Sequence, residues 1–308
     1  LANASSVDSI LDIEVYNEAG KAEGPGLNGF AVSANKTELL QLSSVVPKSK
    51  SFVLHVSSRG GAIAAWVQQK VVRGLSATGV DYLSPDSGFA TSQYLPGLLV
   101  RGSKSAAKLA KQNADFADLT PSLRVFVPGE KMATVTAQIL GSNAKSFGTV
   151  IQQTVGGGRV VDIPITGLAD GDYVAVLNST EPIAASINFS RTDAAKNPVS
   201  DFALLVDAQP ATDLRSIRVP NSGISKLSLV NASKQTATVT ITVGGKTSSF
   251  KLNDAASKVT EVAPGALVSI SSDQPVAGSL VIDLGGAVTA IPVTDYKNAK
   301  GRVAVSVR

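Results

Sequence analysis

The segment from Leu227 to Gly245, LSLVNASKQTATVTITVGG, alternates apolar and polar residues through two short runs separated by a polar turn. Residues two apart share one face of an extended chain, so this pattern builds strands that bury one side and wet the other. A helix, with its 3.6-residue period, cannot use it. The same order recurs in LRVFVPGEKMATVTAQILG, Leu123 to Gly141, where Ala133 to Thr136 repeats the Ala-Thr-Val-Thr of Ala237 to Thr240. The two copies start at Leu123 and Leu227, 104 residues apart, a spacing that suits one β-sandwich and exceeds a propeller blade.

Three more segments share a second shape: DYVAVLNSTEPIAASINFS from Asp172, ALVSISSDQPVAGSLVIDL from Ala266 and SFVLHVSSRGGAIAAWVQQ from Ser51. Each reads as a hairpin, the first two turning at Pro182 and Pro275 and the third through Arg59, Gly60 and Gly61. A short strand, a polar connector and a further strand follow each one, beginning at Gly79, Asp201 and Ala287. The pattern predicts an all-β chain of tandem immunoglobulin-like β-sandwich repeats with very little helix. Unit one spans 1–92, unit two 93–215 and unit three 216–308, and each is long enough to bury a core of its own.

Unit one departs from the other two. Its Leu11 to Lys21 matches their second strand, so the strand equivalent to Leu123 through Val127 has no clear counterpart. Either Leu1 to Ile10 supplies it irregularly, or it belongs to a precursor segment outside this chain. A missing strand leaves an open edge, which marks unit one as incomplete or as a docking unit. The insertion Ser103 to Leu119 in unit two carries helix formers and reads as a short helix or a loop.

Little in the chain can do chemistry. There is no cysteine, which excludes disulfides, thiolate metal sites and cysteine nucleophiles, and His55 is the sole histidine. No relay through two imidazoles can be assembled, and His55 takes a solvent-facing strand position between Leu54 and Val56. VGGGRV, Val155 to Val160, lacks the Lys-Ser/Thr of a phosphate loop and reads as a turn between strands. Asp12 and Glu14 alternate with Leu11, Ile13 and Val15, while Asp81, Asp172 and Asp201 read as turn or strand-edge residues. No calcium loop is present, and neither a cofactor nor a metal is expected. The net charge is +4, and the basic run Arg101, Lys104, Lys108 and Lys111 has no interleaved aromatic residue, so no nucleic-acid partner is expected.

One residue stands out against its own repeats. Trp66, the only tryptophan, aligns with Ser186 and Ser279 on an outward face. Pairing across the Gly-Gly turn would set Val53 opposite Trp66 and His55 opposite Ala64. Either a neighbouring unit of the chain or a partner gripping the ring covers this face. Candidate binding residues are therefore Trp66, His55 and Val53, joined by Tyr82 and Tyr94 if the ligand is a sugar.

Gly79-Val80-Asp81-Tyr82 with Pro85, then Leu95-Pro96-Gly97, then strands opening into Leu-x-Leu-Val-Asn and Ala-Thr-Val-Thr, resemble an actinobacterial exported family, domain of unknown function 5719. Val127-Pro128-Gly129 departs from Leu-Val-Asn, so unit three carries the likeness better than unit two. The resemblance implies an envelope protein with an N-terminal membrane segment outside this chain and no established activity. The expectation is a non-catalytic extracytoplasmic protein, secreted or membrane-anchored, that scaffolds a cell-envelope protein or glycan. The alternative is a carbohydrate-binding module for a cell-wall or surface glycan.

Overall fold

The computed structural model describes residues 1–47, 49–73, 76–86, 88–142, 148–192, 200–212, 215–293 and 303–307. The protein is all-β, built from several antiparallel sheets. Helix is confined to Leu42–Val45, Ser103–Gln112 and a 3-10 turn at Ala114–Leu119. The insertion in the middle of the chain is thus helical. Gly102 enters it at φ 69°, and the Asp170 carboxylate accepts the Gly102 and Ser103 N–H groups, so a distant acid caps the helix start.

The last third holds two four-stranded sheets. One runs Arg215–Arg218, Leu267–Ser272, Ala237–Val243, Lys246–Leu252, and the other Ser257–Val262, Ile224–Asn231, Val276–Asp283, Val288–Pro292. Alternation turns Val239, Ile241 and Ile270 from the first sheet toward Leu227, Leu229 and Leu280 from the second, and these side chains form one buried cluster.

In the middle third a single strand of 22 residues, Gly171–Thr192, runs through a seven-stranded, nearly closed sheet. Its first half lies between Ala133–Gly141 and Ala90–Val100, and its second half between Ser122–Phe126 and Ser200–Val206. Tyr173, Ala175 and Leu177 from the first half meet Ile183, Ile187 and Phe189 from the second in the largest core.

This arrangement corrects the hairpin reading of all three segments. The arms of 172–190 do not pair with each other. Nor do Leu267–Ser272 and Val276–Asp283, which lie in different sheets, nor Phe52–Gly60 and Val67–Arg73. In the first and last thirds the turn carries the chain from one sheet to another, and in the middle third the long strand itself crosses to the opposite side of the nearly closed sheet. Period-two alternation fixes which side chains share a face, but it is silent on which strand lies alongside.

In the first third, Ser9–Asn17 lies between Phe52–Gly60 and the short strands Gly20–Ala22 and Asn28–Val32. The far edge of Phe52–Gly60 is taken by Val303–Val307, from the other end of the sequence. Across the core, Val67–Arg73 pairs with Ser76–Leu83, and Ala2–Asn3 pairs with Ile63–Ala64. Within Leu1 to Ile10, Ala2–Asn3 forms a strand of two residues.

Neighbouring thirds interlock. Tyr16 and Val53 pack on Phe126, Val160 and Ala184, while Tyr94, Val174 and Val176 pack on Val230 and Ala277. Phe202, Leu204 and Val206 complete the first core, as Val281, Val288 and Ala290 complete the middle one. At the first junction Arg124 is buried and grips both oxygens of Asp162 at 2.7 and 2.6 Å, and the Ser51 hydroxyl donates to the same carboxylate.

Candidate functional site

An open groove of about 460 Å³ lies in the first third. Its floor is made by Ile13, Leu54 and Val56, which alternation turns inward from Ser9–Asn17 and Phe52–Gly60. One wall is made by residues between Glu38 and Pro47, including the helical turn Leu42–Val45, together with Ser49. The other is the chain from Ala65 to Lys70, with Ala65 and Val67 facing the floor.

That second wall is a strand edge. Among the described residues, Val67–Arg73 pairs only with Ser76–Leu83, and the pairing of Ala2–Asn3 stops at Ala64. The groove therefore offers backbone N–H and C=O groups along one side and apolar side chains beneath. Gln69 lines it, and its Oε1 is buried with no hydrogen-bond partner among the described residues. Leu39, 91% exposed, and Trp66, 53% exposed, stand at the mouth.

The residues singled out from sequence fall in three places. Trp66 and Tyr82 belong together: Gln68 donates to the Tyr82 hydroxyl across the strand pair, and the alternation of burial from Ala65 to Gln68 puts Trp66 on the same outer face. Tyr82 is 63% exposed. Val53 and His55 lie on the other sheet. Val53 stands opposite Tyr16 rather than Trp66 and is buried against the middle third, and His55 stands opposite Glu14 rather than Ala64. The imidazole Nδ1 lies 3.0 Å from a Glu14 carboxylate oxygen, and hydrogen bonds from Lys21 and then His55 hold Glu14 below the usual carboxylate range. Tyr94 sits at the second junction, where its N–H donates to Asp207 and its hydroxyl to the Ala232 carbonyl.

Sequence reasoning missed the buried acids. Asp81, read as a turn or edge residue, is buried within Ser76–Leu83. Its oxygens accept the Leu204 N–H at 2.8 Å and the Thr289 hydroxyl at 3.0 Å, donors from the middle and last thirds. Burial pushes its pKa up to about 6, against the pull of those hydrogen bonds and with nearby Asp201 adding to the rise. Asp86 is pushed to about 7, again mainly by burial, and its Oδ2 is without a partner among the described residues. Gly79, two residues before Asp81, leaves room for the Asp201 carboxylate, which a Cβ would strike. Among the described residues no three His, Asp or Glu side chains gather as metal ligands do.

Antiparallel sheets interlocked across two junctions, with an apolar groove open in the first third, define an all-β protein. The chain belongs to the family of unknown function DUF5719, whose model matches residues 1–272. No curated protein matches it.

Proposed function

We propose that the chain is a non-catalytic extracytoplasmic scaffold of the cell envelope, made of three tandem immunoglobulin-like β-sandwiches. The observation that carries this reading is a recurring order of strands and stacked faces. Arg215–Arg218 stands beside Leu267–Ser272 as Ala90–Val100 stands beside the first half of Gly171–Thr192, and Val303–Val307 stands so beside Phe52–Gly60. Likewise Ile224–Asn231 lies between Ser257–Val262 and Val276–Asp283, as Ser122–Phe126 lies between Val160–Pro164 and the second half of Gly171–Thr192.

In each of the first two units the outer face of one sheet rests on the next unit. The corresponding face of the last unit is closed off by polar pairs, Thr240 with Ser249, Thr242 with Thr247 and Ser216 with Ser269. A polar terminal face is what an array of stacked repeats needs for solubility. At the opposite end the face bearing Trp66 and Tyr82 stays open, which suits attachment of a partner. Asp81, which accepts from Leu204 and Thr289, and Asp162, which accepts from Ser51, are engaged in holding units together, a use consistent with a scaffold.

Fractionating the native bacterium tests the proposal. The protein is expected in the envelope fraction, migrating on native gels in an assembly well above its 31.5 kDa, with no turnover of wall polymers by the purified chain. Recovery from the cytosol as a monomer, or hydrolysis of any envelope substrate, would overturn it. The two exposed rings also favour a second reading, a module that stacks sugars on Trp66 and Tyr82. Binding of purified wall polysaccharide that is lost in Trp66→Ala would favour it over a protein partner.

A further inference from the structure

We propose that two copies of this chain pair edge to edge through Thr149–Val155, antiparallel about a two-fold axis at Gln152. Three observations carry this, and none depends on the scaffold reading above.

Thr149–Val155 stands at one end of the nearly closed sheet of the middle third, and among the described residues it pairs with Ala133–Gly141 alone. The strand at the other end of that sheet, Val160–Pro164, does not pair with it. Val150 is 66% exposed, and Gln152 and Thr154, which share its face, are exposed as well.

The last third shows what a guarded edge of the same kind carries. Lys246–Leu252 lies beside Ala237–Val243 as Thr149–Val155 lies beside Ala133–Gly141, and the repeated Ala-Thr-Val-Thr puts the two pairs in register. Thr154 stands opposite Thr134 where Lys251 stands opposite Thr238, and Thr149 opposite Ile139 where Lys246 stands opposite Val243. A lysine on an edge strand keeps a second strand away, because pairing would strip water from its ammonium group. The middle third has threonine at both places, and its strand, TVIQQTV, contains no charge, proline or glycine. It lacks the devices that keep sheet edges single.

The chemistry of the strand selects a second copy of itself. In the register that pairs all seven residues, Val150 meets Thr154 of the second copy, one β-branched side chain against another. Gln152 meets its own counterpart, and each amide offers a donor to the other's acceptor. The neighbouring positions on the same face, Thr134, Thr136 and Gln138, are uncharged, so the two-fold axis brings no like charges together there. An edge of seven residues covers little area, and the dimer is expected to be weak.

Sedimentation equilibrium of the full chain tests the pairing. The mass is expected to rise from 31.5 kDa toward twice that value between micromolar and millimolar protein. Thr149→Lys with Thr154→Lys, which gives this strand the lysines of its counterpart, is expected to weaken association at least about tenfold. Because the chain has no cysteine, an introduced one reports only its own encounters. Directly opposed residues of antiparallel strands lie within disulfide reach, so Gln152→Cys is expected to cross-link under mild oxidation. Val150→Cys is expected to do so only when mixed with Thr154→Cys. Leu39→Cys, exposed in the first third, gives the rate of random collision. These cross-links test the edge even where the lysines lower stability. A chain still monomeric at millimolar concentration, a dimer indifferent to the lysines, or Gln152→Cys linking no faster than Leu39→Cys would each overturn the proposal.

Discussion

The Asp81 carboxylate receives donors from two strands that belong to different thirds of the chain, so its burial is a product of assembly and not of its own strand. The folded protein holds the Asp81 proton more tightly than the unfolded chain does, since burial raises the pKa from 3.8 to about 6. The stabilisation from protonation is fully present below the unfolded value and is lost as pH rises through about 6. Its full range is on the order of 3 kcal/mol. The urea midpoint should therefore climb as pH is lowered from 7 toward 5, and Asp81→Asn should reduce that climb and leave the share contributed by Asp86, whose pKa burial also raises; a wild-type midpoint that falls steadily over this window would contradict the assignment. Nothing local to GVDYL marks Asp81 as buried, because its partners Leu204 and Thr289 lie more than a hundred residues downstream. Trp66 was legible for the opposite reason. It differs in kind from Ser186 and Ser279, which are buried where it is exposed.

Among the elements, Ala90–Val100 shows how one glycine sets an interface. Its pairing with Gly171–Thr192 slips where Pro96, Gly97 and Leu98 pass Val174 and Tyr173, and Gly97 sits at φ 118° there. A Cβ at this position would come within 2.7 Å of a Val281 methyl across the second junction. Gly97→Ala is thus strained twice, by backbone and by neighbour, and should cost about 2 kcal/mol or more, measured by denaturant unfolding. Alternation found the strands themselves: Ala133–Gly141 and Ala237–Val243 lie where the repeated Ala-Thr-Val-Thr put them. It could not separate a hairpin from a crossing, since Leu177 and Ile183 point into the core under either reading. The two-residue strand Ala2–Asn3 was equally out of reach, being too short to show a period.

At the scale of the molecule, the first sheet is completed by Val303–Val307. Removing residues 303–308 should leave Phe52–Gly60 with one bare edge. Amide exchange in that strand is expected to speed up about tenfold or more, while Leu227 to Val230, held between two strands of its own sheet, keeps its rate. Equal acceleration in both would mean that the closing strand supports the whole molecule and not one sheet. The pairing also sets an order of events during synthesis. Folding on the ribosome ordinarily begins with what emerges first. Here Phe52–Gly60 must wait for Val303–Val307, made after the whole middle of the chain, before its sheet has all its strands, so a chaperone that shields new sheet edges would be needed longest at Phe52–Gly60.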